Sequence, residues 1–148
     1  MMLKTEQDKT CNDIEVYVRY AELDSRTERI ISLIRSFDKS IKCREEGAER
    51  FIGASEIYYI ESVDKRTFVY TNDSFFQTEQ RLYQLEQELA ASGFVRVSKS
   101  CIVNINSLES IKPLFNSRME ATLKNGEKLN ITRKYLGNIK QALKEVRK

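Results

Sequence analysis

From Ile41 to Ile131 the apolar residues come in short runs, each cut off within a few positions by a turn signal. That spacing suits strands joined by tight turns and leaves room for few helices. Ile57-Tyr58-Tyr59-Ile60 is separated from Thr67-Phe68-Val69-Tyr70 by Asp64-Lys65-Arg66, in the manner of a hairpin, and Asn72-Asp73 turns the chain again before Phe75-Phe76-Gln77-Thr78. Ile41 and Cys43 alternate with polar neighbours, and Phe51-Ile52 follows a Glu-Glu-Gly turn. Further on, Phe94–Lys99 alternates and leads into the apolar Cys101–Ile105, and Arg118–Leu123 faces Lys128–Ile131 across Lys124-Asn125-Gly126-Glu127. Pro113, after Ile111-Lys112, is expected to break regular strand pairing there.

Three helices punctuate this pattern. Ile30, Leu33, Ile34 and Phe37 recur at helical spacing behind Asp24 or Ser25 as cap, which predicts a helix over about 25–38. Leu82, Leu85 and Leu89 predict a second, stopping near Gly93 where a positive φ comes at little cost. Thr132 is the expected cap of a last helix that buries Tyr135, Leu136, Ile139 and Leu143 and leaves Lys134, Lys140, Lys144, Arg147 and Lys148 outward or against a partner. Before the first helix, Ile14, Val16 and Val18 alternate with Glu15, Tyr17 and Arg19 like a half-buried strand. The expected class is therefore mainly β with short helices, α+β in kind, behind an N-terminal strand-helix extension.

Composition excludes several chemistries. With no histidine in 148 residues, histidine-based acid-base catalysis and the usual zinc spacings are absent. The cysteines at 11, 43 and 101 form no close pair, and no glycine-rich phosphate loop occurs. Cys101 is the residue an enzyme would use, with Lys99 nearby to lower its pKa, but it shares strand parity with Val103 and Ile105 and is expected to face the core. Asp64 and Asp73 are read as turn residues. The apolar stretches are far shorter than the ~20 residues of a spanning helix, so a cytoplasmic protein without cofactor or metal is expected.

Charge is distributed unevenly. Residues 1–95 carry 13 Lys and Arg against 18 Asp and Glu, a net −5, while residues 96–148 carry 12 against 4, a net +8, together the +3 of the whole chain. A segment this basic suits a polyanionic partner. Lys65 and Arg66, Ser98 and Lys99, and Arg133 and Lys134 all fall at expected strand ends or turns. Gathered on one rim they would combine arginines able to grip a guanine edge with lysines and hydroxyls suited to phosphate; ordinary solvent-facing residues are the alternative.

Four segments carry a more specific signal: Ile57–Ser62, Leu82–Glu86, Phe94–Asn104 with its F-x-R-x-x-x-S-x-x-V-N pattern, and Ile131–Tyr135. In order and spacing they resemble the LytTR family of bacterial DNA-binding domains, over roughly residues 41–147. The resemblance implies small antiparallel sheets with short helices, not a helix-turn-helix, and an extension (1–40) ahead of a DNA-binding domain (41–148). It implies duplex DNA as partner, entered by loops in successive major grooves, bent, and bound at paired promoter repeats by two copies. Arg133 falls on a base-reading arginine, Lys99 on an asparagine or arginine position, Ser98 on a frequent histidine and Thr67 on another contacting position, with Lys65 and Arg66 able to share its role. Asn104 belongs to the motif but is read as a structural hydrogen bond. Forty residues are too few for a receiver domain, which points to a stand-alone regulator. Stand-alone members found beside small membrane proteins imply such a protein as a regulatory partner. A protein-interaction module without enzymatic activity is the alternative function.

Overall fold

The computed structural model describes residues 1–144. Helix α1 (Ser25–Phe37) precedes β1 (Ser40–Glu45), β2 (Ala48–Gly53), β3 (Tyr59–Val63), β4 (Arg66–Tyr70) and β5 (Phe75–Thr78). Then follow α2 (Leu82–Leu89), β6 (Phe94–Ser98), β7 (Cys101–Asn104), β8 (Leu108–Pro113), β9 (Met119–Leu123), β10 (Lys128–Ile131) and α3 (Leu136–Lys144). All pairing is antiparallel, in a seven-stranded sheet of order β2-β1-β5-β4-β3-β7-β6 and a three-stranded sheet β10-β9-β8. The α+β expectation holds.

Period-two alternation feeds two cores. Ile41, Cys43, Ile60, Val69, Phe76 and Ile102 form one with Leu82, Leu85 and Leu89 of α2. Cys101, Val103 and Val97 turn the other way, onto Ala121, Leu123, Leu129 and Ile131 of the small sheet and Ile139 of α3. Each fully buried Leu or Ile stabilises the fold by ~1.5–3 kcal/mol relative to exposure. Asn104 ends β7, where the chain leaves the large sheet for the small one; its Nδ2 donates to the Ile57 carbonyl at 2.9 Å and its Oδ1 accepts from the Asn106 amide at 3.0 Å, the structural role its motif position suggested.

The structure corrects four expectations. Residues 14–18 form no strand: the alternation is present, but no strand lies beside it, and a strand is defined by its partner. Phe37 is exposed, and Ile30, Leu33 and Ile34 are only half-buried, because α1 meets little more than the short turns at 54–56 and 90–92. Its cap is Asp24, whose carboxylate accepts from the Thr27 amide at 2.8 Å. Pro113 ends β8 opposite Met119 instead of breaking it; β8 is an edge strand, where a missing N–H leaves no partner stranded. The Thr132 hydroxyl caps nothing, since a 3-10 turn, Arg133–Tyr135, intervenes before α3. Lys134 and Lys140 are exposed as expected, while the side chain of Lys144 and residues Arg147 and Lys148 lie outside what the structure describes.

Candidate nucleic-acid interface

Antiparallel pairing decides which turns become neighbours. β3 runs beside β7, so the end of β3 meets the start of β7, and the Ser62 amide donates to the Ser100 carbonyl at 2.8 Å. That bond sets the β3–β4 turn, which carries Lys65 and Arg66, next to the β6–β7 turn, which carries Lys99. A second bond, from the Thr132 amide to the Val97 carbonyl at 3.0 Å, lays the Arg133–Tyr135 turn against β6. Three turns from widely separated stretches of chain thus share one rim. Lys65, Arg66, Lys99, Arg133 and Lys134 are all exposed on it.

Two candidate residues take other places. Thr67 is only 4% exposed, packed between Ser62 and Thr78, because it shares the inward parity of Val69 on β4. Ser98 is half-buried, and its hydroxyl accepts from the Ser100 amide at 3.2 Å, which shapes the turn that presents Lys99.

Arg96 holds the rim together from behind. Its Nε donates to the Ser98 carbonyl at 2.8 Å and its Nη2 to the Lys99 carbonyl, while Nη1 pairs with Glu86 of α2 at 3.0 Å. The guanidinium also lies 5.9 Å from the centre of the Tyr135 ring. One side chain, 14% exposed, therefore ties the Lys99 turn to α2 and to the Arg133 segment. Arg81 adds a cation that the sequence reading missed: it is exposed at the start of α2 and donates to the Lys65 carbonyl at 3.4 Å. Its place in the acidic half hid it from a charge count. Its position directly before the apolar spacing of α2 was the available signal.

Cys101 is no nucleophile. Burial, reinforced by the charge of Glu61, pushes its thiol up to about 12 against the opposing effect of Arg96. Among the described residues no group of three or more Cys, Asp or Glu is placed to hold a metal ion, and no helix is long and apolar enough to cross a membrane.

Strands on two sheets, a cationic rim of turns and, among the described residues, no two α-helices in succession define a β-built module with a surface suited to a polyanion. The profile of the LytTr DNA-binding domain matches residues 49–144, and the chain belongs to this family of DNA-binding, non-catalytic modules. It is 33% identical over 93 residues to the sensory transduction protein LytT of Bacillus anthracis, covering 63% of this chain and 38% of that protein, so the chain spans well under half the length of this relative. It is 27% identical over 146 residues to an uncharacterized HTH-type transcriptional regulator of Staphylococcus aureus, covering 96% of this chain and 99% of that one. The fold is similar to the LytTr DNA-binding domain of a methyl-accepting/DNA response regulator from Bacillus cereus, with a TM-score of 0.67 at 24% identity over 72% of this chain and 97% of that one.

Proposed function

We propose that the chain is a cytoplasmic transcriptional regulator that binds duplex DNA sequence-specifically through this rim. Residues 41–148 act as the DNA-binding domain and 1–40 as an extension. The observation that carries the reading is the convergence of three cationic turns through the Ser62–Ser100 and Thr132–Val97 backbone bonds. Turns of this kind enter successive major grooves, where Arg133 reads a base edge and Lys99 contacts a base or its phosphate. Lys65, Arg66, Arg81 and Lys134 hold phosphates. Thr67 and Ser98 support the two turns from beneath, and Arg96 fixes their spacing. Two copies occupy paired repeats.

Selection of bound duplexes from a randomised pool tests the specificity. Arg133→Ala is expected to lose ~1–3 kcal/mol of binding to the selected site and much less on random DNA, as for a bidentate base contact. Equal losses on both would assign Arg133 to the backbone, and a pool that yields no preferred sequence would overturn the specific reading.

A further inference from the structure

Ile14–Tyr20 has the composition of a strand and no strand beside it. Ile14, Val16, Val18 and Tyr20 lie on one parity, with Glu15, Tyr17 and Arg19 on the other. The stretch forms no backbone–backbone hydrogen bond with any described residue, and Ile14 and Tyr17 are 87% and 93% exposed. Apolar side chains grouped this way on an unpaired backbone mark a surface that meets something.

The large sheet offers a matching vacancy. β2 is its outermost strand, bonded only to β1 through six uninterrupted pairs, and Phe51 on it is 64% exposed. The remaining edges are guarded. β6 is packed against α3 and accepts from the Thr132 amide, and β10 leads directly into that bond. β8 ends in Pro113 and carries a bulge between Leu108 and Ser110.

The segment cannot reach β2 of its own chain while α1 stays docked. Tyr20, Leu23 and the face of α1 from Ser25 to Arg35 line a cleft with Ala90, Gly93 and Val95 near β6, whereas Leu33, Ser36 and Phe37 at the end of α1 line another with Ser55 and Ile57, just past β2. The residues before α1 therefore emerge at the wrong side of the sheet. Along the sheet, β2 and β6 are six inter-strand spacings apart, a path of ~29 Å. The four-residue link Ala21–Asp24 spans at most ~14 Å.

We propose that Ile14–Tyr20 adds as an antiparallel strand to the β2 edge of a second copy, reciprocally, forming a strand-exchanged dimer. One register satisfies both chains: Arg19 faces Glu49, Tyr17 faces Phe51 and Val16 faces Ile52. It sets Arg19 beside Glu49, which already pairs with Lys42 of β1 at 2.9 Å, puts an aromatic pair side by side, and places Val16 and Val18 on the face where Ile52 is already buried. Reciprocity closes the assembly at two copies. The proposal deepens the two-copy reading of the DNA interface, and its test contains no DNA, so that failure of either reading is separately visible.

Light scattering of the full chain during gel filtration is expected to give twice the 17.3 kDa chain mass. Alternation from the Ala54 amide, which donates to the Lys39 carbonyl on the β1 side, aims the backbone groups of Phe51 and Glu49 at the open edge. Tyr17→Pro with Arg19→Pro therefore removes the two amide donors that this register directs at β2, in a stretch that the single chain leaves unbonded; the circular dichroism of the folded domain is expected to stay unchanged while dimer affinity falls by ~10–100-fold. For the pairing itself, Tyr17→Cys chains are mixed with Phe51→Cys chains, both in a Cys11→Ser background, and oxidised. The mixture is expected to form a disulfide-linked dimer that neither variant forms alone. A wild-type chain that is monomeric at all concentrations, a dimer indifferent to the prolines, or a mixture that fails to link would each overturn the proposal.

Discussion

Glu61 lies on β3 between Phe68 of β4 and Cys101 of β7, close to the rim yet half-buried. Burial raises its carboxyl above the ordinary value, and its charge in turn helps hold the Cys101 thiol up. Because the folded state keeps this proton to a higher pH than the unfolded chain does, it binds more protons between the two pKa values. Stability is therefore full below the unfolded value, falls as pH rises through the folded one, and the cost stays in force at neutral pH. Glu61→Gln is expected to raise the melting temperature at pH 7 and to leave it unchanged near pH ~3.5, where both states are protonated. A lower melting temperature at pH 7 would mean that the carboxylate makes a favourable interaction. At this same scale parity made the inward turn of Cys101 legible. The same rule applied to Thr67, which shares parity with Val69, would have put it inside as well. The resemblance to a contacting position outweighed that local signal.

Turn chemistry explains which elements could be read from sequence. The β1–β2 turn at Glu46-Gly47 and the β3–β4 turn at Asp64-Lys65 each place two residues at positive φ, the geometry that matches the twist of a two-residue hairpin. Gly47 suits it, and Asp64 tolerates it. Glu46, at φ +48°, and Lys65, at φ +65°, are the costly choices, by ~1–2 kcal/mol each for a side chain in the left-handed region. If the rim meets DNA as proposed, strain kept at Lys65 is offset by the ammonium group it presents there. Lys65→Gly is expected to stabilise the protein by ~0.5–1 kcal/mol in urea denaturation while weakening DNA binding. A stabilised variant with unchanged affinity would remove Lys65 from the interface. The helices were legible because apolar spacing and caps are local properties. The 14–18 strand and β8 were misread for one reason: whether an extended stretch pairs, or tolerates a proline, depends on what lies beside it.

The whole molecule turns an uneven charge distribution along the chain into a more even rim. Lys65, Arg66 and Arg81 come from the acidic half, Lys99, Arg133 and Lys134 from the basic one, yet the fold presents them together. If about four of them meet phosphates, DNA affinity of one copy falls with salt at a log-log slope of about −3.6, and Lys134→Ala flattens that slope by ~0.9. A slope near zero would dismiss the electrostatic reading. Alternation, turn residues and helical spacing act between residues a few positions apart, so the sequence by itself determined the element types, the inward parity of the core, the missing histidine chemistry and the family pattern. Only the tertiary structure decided which turns meet, since Ser62 finds Ser100 and Thr132 finds Val97 through strands that become neighbours on folding. The same long-range pairing made Arg96 a brace, buried Thr67, exposed Arg81 on the rim and left Ile14–Tyr20 without a partner. Each depends on the position of backbone groups far away in the chain, which local sequence does not encode.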